Sequence, residues 1–139
     1  MSSGLSHVIF LISDLDRMQI ILEQVLHARC IYRSGARHFS VAPERFFLVG
    51  QTWVATMLGD PLAQRSYNHV AFQVLESDLD ARRAAITSLG LDIRAGRPRV
   101  SGEGQSIYFY TPDNHLIELH AGTLEQRLAR YAETERGEE

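Results

Sequence analysis

From Leu5 to Ile12 the chain is almost wholly apolar and rich in β-branched residues, which predicts a strand. The pattern changes at Asp14. Leu15, Met18, Leu22 and Val25 then recur at steps of three and four, the apolar face of a helix that ends near His27. Asp14 is placed to cap that helix, because its carboxylate can accept the free N–H groups of the first turn. Cys30–Arg33, Phe46–Val49 and Trp53–Leu58 read as three more strands, with a turn at 50–52 between the last two. The order is β-α-β-β-β.

The second half repeats it. Tyr67–Leu75 reads as a strand, and Ser77 or Asp78 as the cap of a helix whose Leu79, Ile86 and Leu89 share a face. Gly90 suits the left-handed residue that follows such a helix. Leu91–Arg94, Ser106–Tyr110 and His115–His120 follow as strands, the last two joined by a turn at Thr111–Asn114. Thr123 is placed to cap a final helix to about Ala132, and the charged tail 133–139 reads as frayed. Gly96–Gln105 reads as a long loop of the kind that carries binding groups. The two halves also share wording. Ser6-His7-Val8-Ile9-Phe10 returns as Asn68-His69-Val70-Ala71-Phe72, and each copy is followed by Asp-Leu-Asp. A repeat of this length predicts two copies of one supersecondary unit. The fold class is therefore α+β, one domain of two βαβββ modules (about 4–60 and 66–122) with a C-terminal helix (about 123–132).

Composition narrows the chemistry. The 139 residues carry 14 basic and 17 acidic groups, a net charge of −3 that argues against a nucleic-acid partner. There is no apolar run long enough for a membrane span and no signal-peptide pattern, so the expectation is a cytoplasmic protein. Cys30 is the one cysteine and reads as a packing residue. All basic residues are arginine, which excludes a lysine Schiff base or a lysine general base.

His7 and His69 begin the two units at matching points, 62 residues apart. Strand alternation puts Leu116, Glu118 and His120 on one face of the last strand, so Glu118 can join the two histidines. Two imidazoles and a carboxylate form a facial set that leaves open positions on a metal ion. A lone strand histidine is usually structural; it is the matched pair with a carboxylate that points to metal. His115 and His120 are alternative ligands, with His115 expected to be exposed, and His27 and His38 read as surface residues. The counterpart of Glu118 in the first unit is Ala55, which cannot ligate.

With these residues in view, the chain resembles the vicinal oxygen chelate (glyoxalase/bleomycin resistance-like) superfamily and, within it, the fosfomycin resistance proteins of the FosX, epoxide hydrolase, type. The resemblance is carried by Gly-Leu-Ser-His at 4–7, Glu-Arg-Phe-Phe-Leu-Val-Gly at 44–50, Arg-Ser-Tyr-Asn-His-Val-Ala-Phe at 65–72, the run at 97–110, Asp-Asn-His at 113–115, Glu-Leu-His-Ala-Gly-Thr-Leu at 118–124 and Arg-Leu-Ala-Arg at 127–130. It implies Mn²⁺ held by His7, His69 and Glu118, a small phosphonate epoxide as substrate, and Glu44 as the base that activates water. It further implies Ser106, Tyr108, Arg127 and, as a weaker choice, Arg94 as phosphonate contacts, with Trp53 as a pocket wall. Arg97 and Arg99 lie near Arg94 in sequence and are candidates for the same task. A homodimer that exchanges units is implied too. Three alternatives stand beside this reading: thiol transfer at the same metal site, another metal enzyme of the superfamily such as an isomerase (against which Ala55 speaks) or a dioxygenase, and a non-catalytic drug-binding module. One position departs from the family pattern. Ile9 replaces a threonine whose hydroxyl would touch the phosphonate, which removes a hydrogen bond worth about 1 kcal/mol.

Overall fold

A computed structural model, describing residues 1–37, 39–95 and 104–138, folds the two halves of the chain into two sheets of four strands each. Arg97, Arg99 and His38 lie outside the described residues. The first sheet contains β1 (His7–Ile12), β2 (Arg29–Arg33), β3 (Glu44–Val49) and β4 (Thr52–Leu58), in the order β1-β4-β3-β2. The second contains β5 (His69–Gln73), β6 (Asp92–Arg94), β7 (Gln105–Tyr110) and β8 (Leu116–Ala121), in the order β5-β8-β7-β6. In each sheet the first strand runs parallel to the last and the other pairs are antiparallel. Helix α1 (Leu15–Leu26) follows β1, α2 (Leu79–Ser88) follows β5, and α3 (Leu124–Glu138) closes the chain. No described helix is long and apolar enough to cross a membrane.

The chain divides into two units. The first is Met1–Ser66 with Thr111–His115; the second is Tyr67–Tyr110 with Leu116–Glu139. The core of the first unit joins one side of its sheet, Phe10, Ile12, Phe47 and Val54, to the Met18, Ile21, Leu22 and Val25 face of α1. Burying a side chain such as Leu22 stabilises the unit by about 1.5–3 kcal/mol. Asp14 caps α1 through a hydrogen bond from the Arg17 N–H, and His27 ends it in the left-handed region, with φ 53°. Phe72, Leu79, Ile86, Ile107, Phe109, Ile117 and Leu119 make the equivalent core of the second unit.

The register settles the repeat residue by residue. His7 pairs with Trp53 and Ile9 with Ala55, while His69 pairs with Leu116 and Ala71 with Glu118. Ala55 and Glu118 are therefore structural equivalents, as the sequence alignment of the halves predicts.

Four expectations change in detail. The strand over Tyr67–Leu75 contracts to His69–Gln73, because the Tyr67 carbonyl turns to the His69 ring instead of a neighbouring strand. Neither Ser77 nor Asp78 caps α2 with a side chain. A 3-10 turn at Glu76–Asp78 leads in, and Asp78 already has helical backbone angles. Helix α3 continues past Ala132 to Glu138. Its last residues are mostly Glu and Arg, good helix formers that lose nothing by facing water, and its start carries a capping box. Gln126 N–H donates to Thr123 Oγ1 at 3.1 Å, and Thr123 N–H to Gln126 Oε1 at 2.9 Å. Finally, His115 is half-buried rather than exposed: its Nε2–H donates to the Leu11 carbonyl at 2.7 Å. The turn that carries it is pinned again by Asp113, whose Oδ1 accepts from both N and Oγ of Ser13.

Candidate metal centre

In the second unit one face of the sheet collects His69 from β5, Glu118 and His120 from β8, and Ser106 and Tyr108 from β7. Strand alternation puts them there, and the register aligns them, with Tyr108 opposite Glu118 and Ser106 opposite His120. Gly104 sets the approach of β7 to the end of β8. It sits at φ +81°, and a Cβ there would collide with the Ala121 carbonyl oxygen.

His69 Nδ1 lies 2.6 Å from the Tyr67 carbonyl oxygen. A carbonyl can only accept, so Nδ1 carries a proton, and whenever the ring is neutral Nε2 presents a lone pair. That lone pair faces Glu118 Oε1 at 3.0 Å. Two acceptors at this distance repel unless a proton or a metal cation is shared between them. Ligand bonds of about 2.0–2.2 Å meeting near a right angle span roughly 3 Å, so the pair is spaced to grip one divalent ion. The Tyr67 carbonyl is a contact of the kind that orients ligating histidines. The other oxygen of Glu118, Oε2, accepts from the Ser106 hydroxyl at 2.6 Å. Glu118 is 6% exposed. An anion this deep needs such compensation.

Tyr108 lies beside this pair, its ring edge-on to His69 with 5.5 Å between centroids. Burial, then the Tyr67 hydroxyl and the negative charge of Glu118, push its phenol well above the ordinary value, so it remains a neutral donor at working pH. Arg94 stacks over the Tyr67 ring, 4.6 Å from its centroid, which holds a guanidinium at the same face. Arg127 is half-buried in the first turn of α3, and its backbone N–H bonds the Thr123 carbonyl.

The first unit presents a matching face. His7 stacks on Trp53 with ring centroids 4.0 Å apart, and Trp53 meets Phe46 edge-on at 5.1 Å. The Trp53 indole Nε1–H is buried with no acceptor among the described residues. Glu44 pairs with Met57, and Phe46 with Ala55, so the Glu44 side chain shares the face of Ala55 and His7. Glu44 is only 9% exposed. Among the described residues no donor reaches its carboxylate. Ile9 stands on this face between His7 and Leu11 and is 48% exposed.

Of the predicted site residues, then, His69, Glu118, Ser106 and Tyr108 are brought together in one unit, and His7, Glu44 and Trp53 share a face of the other. Among the described residues of a single chain, no three His, Cys, Asp or Glu groups form a ready metal cluster. Sequence reasoning missed Tyr67, whose carbonyl orients His69 and whose ring supports Arg94. Its position two residues before His69, hence on the same side of an extended chain, was the available signal.

No protein-family model matches the chain. Curated relatives do. The chain is 54% identical over 132 residues to the fosfomycin resistance protein FosX of Mesorhizobium japonicum, covering 95% of each protein. It is 37% identical over 140 residues to the metallothiol transferase FosB of Shouchella clausii, covering 96% of this chain and 90% of the relative. Among solved structures, it is similar to a variant of FosX from Listeria monocytogenes complexed with Mn(II) and dihydroxypropylphosphonic acid. The TM-score is 0.85 at 48% identity, covering 94% of this chain and 99% of that one.

Proposed function

The chain belongs to the fosfomycin resistance proteins of the vicinal oxygen chelate superfamily, and on that premise we propose that it inactivates fosfomycin by adding water to the epoxide, with Mn²⁺ as cofactor and Glu44 as general base. The diol bound in the Listeria FosX variant is what water addition to an epoxypropylphosphonate yields. The observation in this chain that carries the hydrolytic reading is Glu44: a carboxylate nine-tenths buried, without a donor among the described residues, on the face of a proposed metal ligand.

His7, His69 and Glu118 would hold the ion. A bound divalent cation supplies a Lewis acid that draws charge from the epoxide oxygen and orients the phosphonate. The chain's own groups do the rest. Glu44 takes a proton from water as the water oxygen bonds to an epoxide carbon. The C–O bond of the ring breaks, and its oxygen ends as the second hydroxyl after taking up a proton from solvent. Tyr108, kept protonated, and Arg94 and Arg127 supply donors and positive charge to the phosphonate dianion. Ser106 has one proton to give, to Glu118 when the substrate is away and to a phosphonate oxygen when the hydroxyl turns. Trp53 walls the pocket. The two modules act as one functional domain. The working form in this reading is a cytoplasmic homodimer in which units are exchanged, so that His7 of one chain and His69 and Glu118 of the other would hold each ion. Neither nucleic acid nor membrane takes part.

The test is ³¹P NMR of fosfomycin incubated with protein and Mn²⁺ in the absence of thiol. A diol signal is expected. Its absence, with an adduct forming only when thiol is added, would transfer the chain to the chemistry named for its FosB relatives. Ligand binding by a metal-free chain without turnover would instead favour the drug-binding alternative.

The exposed Ile9 beside His7 offers the phosphonate no donor. Ile9→Thr is therefore expected to lower the KM for fosfomycin about fivefold, the equivalent of one hydrogen bond of about 1 kcal/mol, with kcat little changed. Steady-state kinetics checks this, and an unchanged or higher KM would show that position 9 does not meet the phosphonate.

A further inference from the structure

The mechanism leaves His120 without a task, although it sits on the same sheet face as the metal-binding pair. We infer that His120 is a positioning residue: its Nδ1–H holds the Ser106 hydroxyl, and the two together hold the Glu118 oxygen that does not face His69. The inference rests on the reading of Glu118 as a metal ligand.

Ser106 and His120 are register partners across β7 and β8. Ser106 Oγ lies 2.6 Å from Glu118 Oε2 and 2.6 Å from His120 Nδ1, and His120 Nδ1 lies 3.3 Å from the same Oε2. The direction of these bonds follows from counting protons. A carboxylate only accepts, so the single hydroxyl proton of Ser106 goes to Glu118. Ser106 is then an acceptor toward His120, which must carry its proton on Nδ1. Donation runs from His120 to Ser106 to Glu118, and Oε2 is occupied by donors while Oε1 alone is offered beside His69. Both proposed ligands of this unit are thus held from their far atoms, His69 by the Tyr67 carbonyl and Glu118 by Ser106 and His120. When a phosphonate takes the Ser106 proton, His120 still occupies the oxygen's lone pair and keeps the proton directed outward.

The full-length chain is titrated with Mn²⁺, and free ion is followed by its EPR signal. His120→Leu removes the donor and is expected to weaken Mn²⁺ binding at least about tenfold, as loss of an orienting partner does. His120→Asn places an amide N–H near the position of Nδ1 and is expected to restore affinity to within about threefold of wild type. Ser106→Ala breaks the same chain at its other joint and is expected to match His120→Leu, which keeps the test decisive should the leucine variant melt early. A His120→Leu protein that binds Mn²⁺ like wild type, or a His120→Asn protein as weak as His120→Leu, overturns the inference alone. A wild-type chain that binds no Mn²⁺ overturns the ligand reading and this inference with it.

Discussion

Glu44→Gln is expected to reduce diol formation by about 10²–10⁴-fold, the usual contribution of a positioned general base. The amide keeps the size and shape of the side chain but cannot take a proton from water. Because Glu44 sits at the start of β3 and bonds Ser34 through its backbone, the substitution leaves the strand in place: the Glu44 N–H donates to Ser34 Oγ at 2.9 Å, and the Glu44 carbonyl accepts from the Ser34 N–H at 3.0 Å. Mn²⁺ affinity is expected to stay at the wild-type value, since Glu44 is not in the proposed ligand set. The two readouts, ³¹P turnover without thiol and EPR of free Mn²⁺, separate loss of the base from loss of the ion. Undiminished diol production by the variant would remove Glu44 from the mechanism.

The second large effect is expected from Glu118→Gln. The substitution keeps the volume of a side chain that is almost fully buried, but removes the negative charge that a divalent ion needs. It also replaces Oε1 or Oε2 with an amide nitrogen that has no lone pair to offer, opposite either His69 or Ser106. Mn²⁺ affinity is expected to fall by more than about 100-fold, beyond the upper end of what losing an orienting partner costs. Turnover should fall with it and recover only in part at high Mn²⁺. Thermal unfolding in the absence of metal should shift little, because the neutral side chain no longer carries a buried charge. A variant that binds the ion within a few-fold of wild type would mean that Glu118 is not a ligand and that its contact with His69 is simply an ion pair.

Much of this site could be read from the chain. The repeated phrase at His7 and His69, the alternation of β8 and the Ala55 counterpart of Glu118 are local patterns with period two, and the register bears out the alignment of the halves. Helix α1 was legible down to its cap, because an apolar stripe and an Asp before it are both short-range signals. The elements that departed from expectation did so through particular hydrogen bonds, one local and one distant. β5 is short because the Tyr67 carbonyl serves a histidine ring. His115 is half-buried because it meets the carbonyl of a residue more than a hundred positions earlier.

By itself the sequence determined the α+β class, the doubling of the βαβββ unit, and which side chains with metal or acid–base chemistry fall on the same faces, because pleat and helix periods depend only on neighbours along the chain. Tertiary structure alone decided the distances: that His69 Nε2 lies 3.0 Å from Glu118 Oε1, that Glu118 has its other oxygen held by Ser106, and that Glu44 is buried without a donor among the described residues. Such properties come from pairing strands distant in sequence, where a shift of one residue would turn every one of these groups to the opposite face.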